Sequence, residues 1–377
     1  MIQPSYFEPL SGAMYPLSVP RWRADNGRPL LITRHRGISR EDIVTSDRSL
    51  WRYRACFPME IVRPISIGEG CTPLIQLPWG NHRPFFKLEW FNPTGSFKDR
   101  GTTLMLSYLR QHGIDAVIED SSGNGGSSVA GYGAAGGMRV KILAPAHSSP
   151  AKIAQVRAYG AEVQLVEGPR EESEAEAIRQ SDRIFYSSHN WQPFFLEGTK
   201  TQAYELWEDL GFTAPDNVIV PVGAGSSLLG LYFGFAELLD AGQIEKLPRL
   251  FAAQPLNCSP IDASFKAGRD DPVDRPTAKT IAEGTAIKRP IRLKQIIGAL
   301  RESRGSTIAL EEQAIVAGLR KTCAAGLFIE PTSATATAAF DRLAADGIIT
   351  ENETTVVMLS GSGLKAAPVV SDLLHQA

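Results

Sequence analysis

The chain has 377 residues, 43% of them hydrophobic and 21% charged, which is enough for a sizeable core and exceeds one typical domain. Its 39 Lys and Arg against 41 Asp and Glu leave a formal net charge of −2, so there is no electrostatic case for nucleic acid or an anionic membrane as partner. Cys56, Cys71, Cys258 and Cys323 stand far apart, with no C-x-x-C pair and no Cys/His cluster at zinc spacing, so no metal site is expected and the thiols fit a reducing compartment.

Residues 1–65 are rich in Pro, Arg and aromatics without clear periodicity, and read as an extended arm on the body with reach toward a second subunit. The opening residues lack a basic start followed by an apolar stretch, so no signal peptide is expected. No run approaches the roughly 20 apolar residues of a spanning helix, and the cytoplasm is the default location. From about residue 85, strand-length apolar runs alternate with helical stretches, as βα units of a parallel sheet do. Phe85–Trp90 reads as a strand, Asn92-Pro93-Thr94-Gly95 as a turn, and a helix opens near Ser96 or Phe97. Ala116–Glu119 is a short strand entering Ser121-Ser122-Gly123-Asn124-Gly125-Gly126, and helix Ser127–Ala135 follows, stopped at Gly136-Gly137. Strand Val140–Ala144, helix Ala151–Tyr159 closed by Gly160, and strand Glu162–Val166 come next, then a charged helical stretch over 169–182 with a solvated face. Val218–Val222 is an apolar strand running into Gly223-Ala224-Gly225-Ser226-Ser227, followed by the apolar, inward-packed helix Leu228–Leu239. Thr354–Leu359 is a last buried strand, ending at Ser360-Gly361-Ser362-Gly363.

Three of these segments carry candidate chemistry. A glycine-rich turn between strand and helix aims backbone N–H groups and the positive end of the helix dipole at one point, which suits an anion. Residues 223–227 form the better phosphate cradle, because two glycines permit close approach and two serines add hydroxyls. They lack the Lys-Ser/Thr ending of an ATP-binding loop, and Leu228 stands where a dinucleotide motif needs its third Gly. The plain alternative is an ordinary βα turn. Residues 121–126 could hold a carboxylate or a phosphate, with a plain helix cap as an equal alternative. Lys98 lies in the first turn of a helix, where the dipole disfavours the protonated amine and favours a nucleophile. Its plain alternative is a solvated lysine paired with Asp99 or a nearby Glu.

Together these segments resemble the fold-type II (tryptophan synthase β-like) pyridoxal-phosphate (PLP) enzymes, and within them most closely the threonine synthase family. NPTGSFKDRG at 92–101 is similar to the cofactor-lysine motif, SSGNGGSSVAGYGAAGG at 121–137 to the asparagine loop, PVGAGSSLLG at 221–230 to the phosphate loop, and LSGSGLK at 359–365 to the terminal strand motif. EGCTPL at 69–74, EGTKTQAYE at 197–205 and GLFIEPTSA at 326–334 add smaller matches in family order. The resemblance implies an α/β fold of two domains, with mostly parallel sheets flanked by helices and PLP in the inter-domain cleft. Residues 1–104 with 191–377 would form the large domain, and 105–190 a small, mobile one. It implies that Lys98 carries PLP as a Schiff base and then shuttles protons, and that Asn124 bonds the cofactor's 3′-oxygen. Gly223, Ala224, Gly225, Ser226 and Ser227 would hold its phosphate, and Ser360 would meet the pyridine nitrogen. Ser121, Ser122, Gly123, Asn124 and Gly125 would bracket the substrate carboxylate. A neutral Ser360 hydroxyl leaves the ring nitrogen unprotonated, which favours side-chain elimination or replacement over transamination.

The threonine synthase resemblance further implies release of phosphate from O-phosphohomoserine with addition of water at Cβ, which needs a second anion site. That family often carries an Arg where this chain has Phe195, and an aromatic ring cannot replace a guanidinium fork. Asn190, His189 and Lys200 are the residues available to compensate. Ile281-Ala282-Glu283-Gly284 is more similar to the dehydratase pattern, so a serine/threonine dehydratase-like ammonia-lyase is the alternative. Glu283 would then be an acid near the side chain, or more plainly a helix-end residue, and His189 a packed histidine. A catalytically silent PLP or amino-acid binding protein is the reading of another class, opposed by the intact Lys98, Asn124 and Ser360. The expected partner is a small amino-acid substrate, and the resemblance implies a homodimer.

Overall fold

Apolar runs that alternate with helical stretches build parallel sheets when each strand is covered by the helix that follows it. The computed structural model of the chain describes residues 3–146, 148 and 150–375 and shows this in two compact units, one of residues 1–70 and 92–201, the other of 71–91 and 202–377.

The first unit opens with three short antiparallel strands, β1 (Ser5–Phe7), β2 (Met14–Pro16) and β3 (Leu31–Ile32), in the order β2-β1-β3. Residues 3–65 are therefore folded rather than simply extended: Tyr6 is fully buried and donates 2.8 Å to the Tyr108 hydroxyl, and Ser107 Oγ accepts from the Ile65 amide at 2.8 Å. Of the next strands, β4 (Leu74–Gln76) and β5 (Phe85–Leu88) belong to the second unit. The first unit resumes with helix α1 (Lys98–Gln111), β6 (Ala116–Glu119), α2 (Asn124–Gly136), β7 (Arg139–Pro145), α3 (Pro150–Ala158), β8 (Glu162–Val166), α4 (Arg170–Gln180), β9 (Phe185–Tyr186) and α5 (Pro193–Thr199). Strands β6 to β9 form a parallel sheet in the order β8-β7-β6-β9, with Val117 opposite Val140 and Phe185. Trp22, Ile118, Leu143, Ala177 and Tyr186 make one of its cores.

The second unit continues from α6 (Thr201–Asp209) through β10 (Asn217–Pro221), α7 (Ser226–Asp240), β11 (Arg249–Pro255), α8 (Pro260–Lys266), α9 (Leu293–Glu302), β12 (Ser306–Leu310), α10 (Glu312–Ala324), α11 (Pro331–Ala345), β13 (Thr355–Leu359) and α12 (Ala367–His375). Its six-stranded sheet runs β12-β11-β10-β13-β5-β4, parallel except for β4 at one edge. Strands β10 and β13 lie inside it and are almost wholly apolar (NVIVP and TVVML), as strands covered on both faces require. Helix α9 shows the usual amphipathic spacing, with Leu293, Ile296, Ile297 and Leu300 buried. The β4–β5 hairpin is tied to α6 by buried charge: Lys87 Nζ lies 2.7 Å from both Glu205 and Asp209, and Glu205 accepts from the Cys71 and Thr72 amides at 2.8 Å. Among the described residues no helix is long and apolar enough to cross a membrane.

Candidate functional site

In the first unit, Lys98 is the first residue of α1, and the turn before it is fixed by a buried carboxylate. Asp99 accepts from the Thr94 amide at 2.7 Å, from the Thr94 hydroxyl, and from Ser128 Oγ on α2 at 2.7 Å. Gly95 takes φ +87° to close that turn, a conformation that favours glycine. Asp99 thus ties the 92–98 turn to α2, a structural use that its sequence position beside Lys98 does not suggest. The half-buried Lys98 amine lies 4.6 Å from the centroid of the Phe97 ring and 5.5 Å from that of Phe195.

Helix α2 begins at Asn124, three residues earlier than the sequence pattern places it. Gly125 and Gly126 read as turn residues, but close packing is what requires them. A β-carbon at Gly126 would fall 1.8 Å from the Ser121 carbonyl oxygen, and one at Gly125 would fall 2.7 Å from His189 Nδ1. Ser121, Ser122 and Gly123 are therefore the cap turn of α2, while Asn124 and Gly125 occupy its first turn, where amide N–H groups have no intrahelical acceptor. Ser121 is buried, and Ser122, Gly123 and Asn124 are half-buried.

Behind this loop lies a buried acid–imidazole pair. Glu119, at the end of β6, receives the His189 backbone amide at 3.1 Å and faces its Nδ1 at 2.8 Å. Burial pushes the Glu119 carboxyl up to about 8, and it holds His189 well below its usual range, with the Lys98 charge acting in the same direction on the imidazole. His189 packs 5.7 Å, ring to ring, from Phe195, which is fully buried. Lys200 is also buried, with its ammonium 2.6 Å from Glu197 and 3.0 Å from His35 Nε2.

In the second unit, the turn after β10 leads into α7 at Ser226, so Ser226 and Ser227 lie inside the helix's first turn. Gly225 takes φ +88°, and a β-carbon there would come 2.3 Å from Ile296 Cδ1; at Gly223 one would come 2.9 Å from the Gly284 carbonyl oxygen. Ser227 Oγ donates to Gln202 Oε1 at 2.9 Å, which fixes the turn from α6. Ser360, just past β13, shares a 3.1 Å hydrogen bond with Ser333 and donates to Glu330 at 3.2 Å. A β-carbon at Gly361 would meet the Glu330 carboxylate at 2.4 Å. Glu330 and Gln202 lie in motifs read from the sequence, but their pairing with Ser360 and Ser227 spans 30 and 25 residues and has no local signal. Glu283 is exposed.

The first unit thus offers an amine at a helix start, the second a lean glycine turn opening a helix, and both offer buried hydroxyls, donors of the kinds that a phosphorylated aldehyde requires. Among the described residues, Ser96 Oγ and Ser127 Oγ are buried with no hydrogen-bond partner in the protein, a polar capacity close in sequence to Lys98 and Asn124. The residues present fit the expected cofactor.

Residues 65–361 match the family described as pyridoxal-phosphate dependent enzyme. The chain is 32% identical to the threonine synthase of Methanocaldococcus jannaschii over 338 residues, covering 87% of this chain and 83% of that one. To the threonine synthase of Methanosarcina acetivorans it is 31% identical, over 90% and 85% of the two chains. Among solved structures it is similar to a fungal L-serine ammonia-lyase from Rhizomucor miehei (TM-score 0.72, 19% identity, 83% of this chain and 99% of that one). It is also similar to a threonine deaminase from T.th. (TM-score 0.66, 25% identity, 77% and 92% covered).

Proposed function

This chain belongs to the fold-type II pyridoxal-phosphate dependent enzymes, and from that premise we propose that it acts on the side chain of a small amino acid by elimination or replacement, as threonine synthase does. PLP, when bound, draws electrons from the amino acid's Cα, which makes the Cα proton acidic and the side chain able to leave. Lys98 would hold the cofactor, and its Nζ would take up and return the Cα proton. The backbone N–H groups of Gly223–Ser227 take the phosphate at the start of α7. Asn124 would bond the 3′-oxygen, and Ser121–Gly125 would take the substrate carboxylate on the cap and first turn of α2. Ser360 would offer its hydroxyl to the ring nitrogen.

The observation that carries this reading is the match to threonine synthases over more than four-fifths of both chains, with Lys98 standing at the head of a helix. A second reading, ammonia loss from serine or threonine, is favoured by Phe195 and by Lys200, whose ammonium is engaged by Glu197. Inorganic phosphate released from O-phosphohomoserine, with threonine formed, would support the first reading; keto acid released from serine or threonine would support the second. Failure of every amino acid tried to perturb a Lys98-linked chromophore would refute both. Part of the same proposal is that residues 105–190 move as the small domain against 1–104 with 191–377, a matter separate from which residues pack compactly. So is a homodimer in the cytoplasm.

A further inference from the structure

The surroundings of Lys98 within the first unit contain an aromatic ring, an imidazole and a carboxyl, and each is seated firmly. Phe195 is wholly buried, and its ring lies against Gly101 on α1, where even a β-carbon would approach it to 2.6 Å. The α5 backbone is equally close: a β-carbon at Gly198 would come 2.1 Å from the Arg100 carbonyl oxygen. Phe195 therefore cannot withdraw toward α1. His189 sits between this ring and Gly125 of the carboxylate loop, and Glu119 fixes both its amide and its Nδ1.

A phosphate monoester carries close to two negative charges and is held by charge-assisted donors, usually an Arg fork or several ammonium groups. Among the described residues of this unit, the buried Lys and Arg are Lys200 and Arg100, and both have partners. Lys200 lies against Glu197 and His35, and the fully buried Arg100 reaches Thr201 Oγ1 at 3.4 Å. Arg170, at the start of α4, is felt by Glu119 and His189, but also by Asp120 and Glu174, two further acids that compete for it. Burial drives Glu119 and His189 toward their neutral forms, so the pair adds no cation.

We propose that Phe195, His189 and Glu119 form a substrate side-chain subsite for an uncharged side chain, one bearing a hydroxyl or an acyl ester, and that this subsite excludes a phosphorylated side chain. The inference rests on the elimination–replacement reading above and narrows it to a substrate class. Phe195 sets the apolar wall and His189 orients the departing oxygen by a hydrogen bond, with Glu119 as a positioning residue acting through the imidazole.

The test uses the full chain as the holoenzyme, with L-serine, L-threonine, O-acetyl-L-serine and O-phospho-L-homoserine as probes. Two readouts are taken: kcat/KM from keto acid or inorganic phosphate release, and half-saturation of the visible absorbance change on adding each amino acid. Uncharged side chains should be preferred by on the order of 100-fold in kcat/KM, the scale of a missing charge-assisted partner. His189→Asn should raise KM for the hydroxy amino acids about tenfold, with a smaller change in kcat. Glu119→Gln should keep most of the selectivity, because it preserves an acceptor for the imidazole. Arg170→Gln should leave the preference unchanged.

Preference for O-phospho-L-homoserine, or its tighter spectral binding where no turnover is seen, overturns the subsite and leaves the elimination–replacement reading standing. Loss of O-phospho-L-homoserine binding in Arg170→Gln overturns it as well, by identifying a working phosphate site. No Lys98-linked chromophore at all overturns the broader reading, and this inference with it. If His189→Asn fails to fold, Phe195→Leu supplies the same comparison: retained preference for uncharged side chains supports the subsite, and a switch to the phosphorylated one overturns it.

Discussion

Replacing Gly225 by Ala tests whether the turn after β10 is as lean as its conformation indicates. Its φ of +88° lies in the left-handed region, where an L side chain costs about 1–2 kcal/mol. The new β-carbon would also fall 2.3 Å from Ile296 Cδ1 and 2.7 Å from its Cγ1. Ile296 is fully buried on α9 and cannot swing into solvent, so overpacking adds about 1–3 kcal/mol. The sum is about 2–5 kcal/mol, which for a domain of 150–250 residues lowers Tm by roughly 4–20 °C. Differential scanning calorimetry measures it, with cofactor retention followed by visible absorbance on the same samples. The clash is separated from backbone strain by Ile296→Ala, which removes both opposing atoms: in that background the penalty of Gly225→Ala should shrink by about 1–3 kcal/mol. A Tm within about 2 °C of the parent, well short of the expected shift, or an unchanged penalty in the Ile296→Ala background, would refute the reasoning.

Lys98→Ala should keep the fold, since Asp99 and not Lys98 anchors the turn; the variant should unfold within about 1 kcal/mol of the parent yet give no borohydride-fixed cofactor by mass spectrometry. Glu119 holds its proton up to about pH 8 in the folded state and only to about 4.3 unfolded, so its contribution to stability falls as pH rises through that window. Urea unfolding at pH 5.5, 6.5 and 7.5 should therefore show Glu119→Gln gaining on the parent by up to about 1.4 kcal/mol per pH unit, and parallel profiles would contradict it. Glu205→Ala leaves the buried Lys87 ammonium with one fewer carboxylate, keeping Asp209 and the Thr72 carbonyl, and removes the acceptor of the Cys71 and Thr72 amides; it should cost about 3–5 kcal/mol, and more than the double change Lys87→Met with Glu205→Leu, as paired urea melts would show.

Local pattern carries the βα elements well. Strands Ala116–Glu119 and Glu162–Val166 have the expected bounds, because each apolar run is punctuated by glycine or by helix-capping polar residues. The start of α2 is misplaced by pattern because glycine is a turn former by propensity; at Gly126 a carbonyl 1.8 Å from any β-carbon demands glycine inside the helix. The N-terminal arm gives no periodicity because its strands are only two or three residues long. The candidate site divides in the same way. Lys98, Asn124 and the 223–227 turn sit in contiguous motifs, whereas Glu119 acquires its meaning from His189, 70 residues away, and Ser360 from Glu330. Such pairings depend on how strands and loops are brought together, and nothing in either local stretch announces them.

The placement of β13 has a consequence for how the polypeptide is made. This strand is hydrogen-bonded on one side to β10 and on the other to β5, pairing Val356 with Val218 and with Phe85. Translation at roughly 5–20 residues per second leaves β5 outside the ribosome for about 15–50 s before its neighbour exists. During that interval a nascent sheet presents two unmatched edges, the surface on which chains stick to one another and which holding chaperones shield. A stop codon ahead of residue 355 would therefore remove the middle of the sheet rather than its border, leaving a three-stranded remnant and an isolated hairpin with nothing to join them.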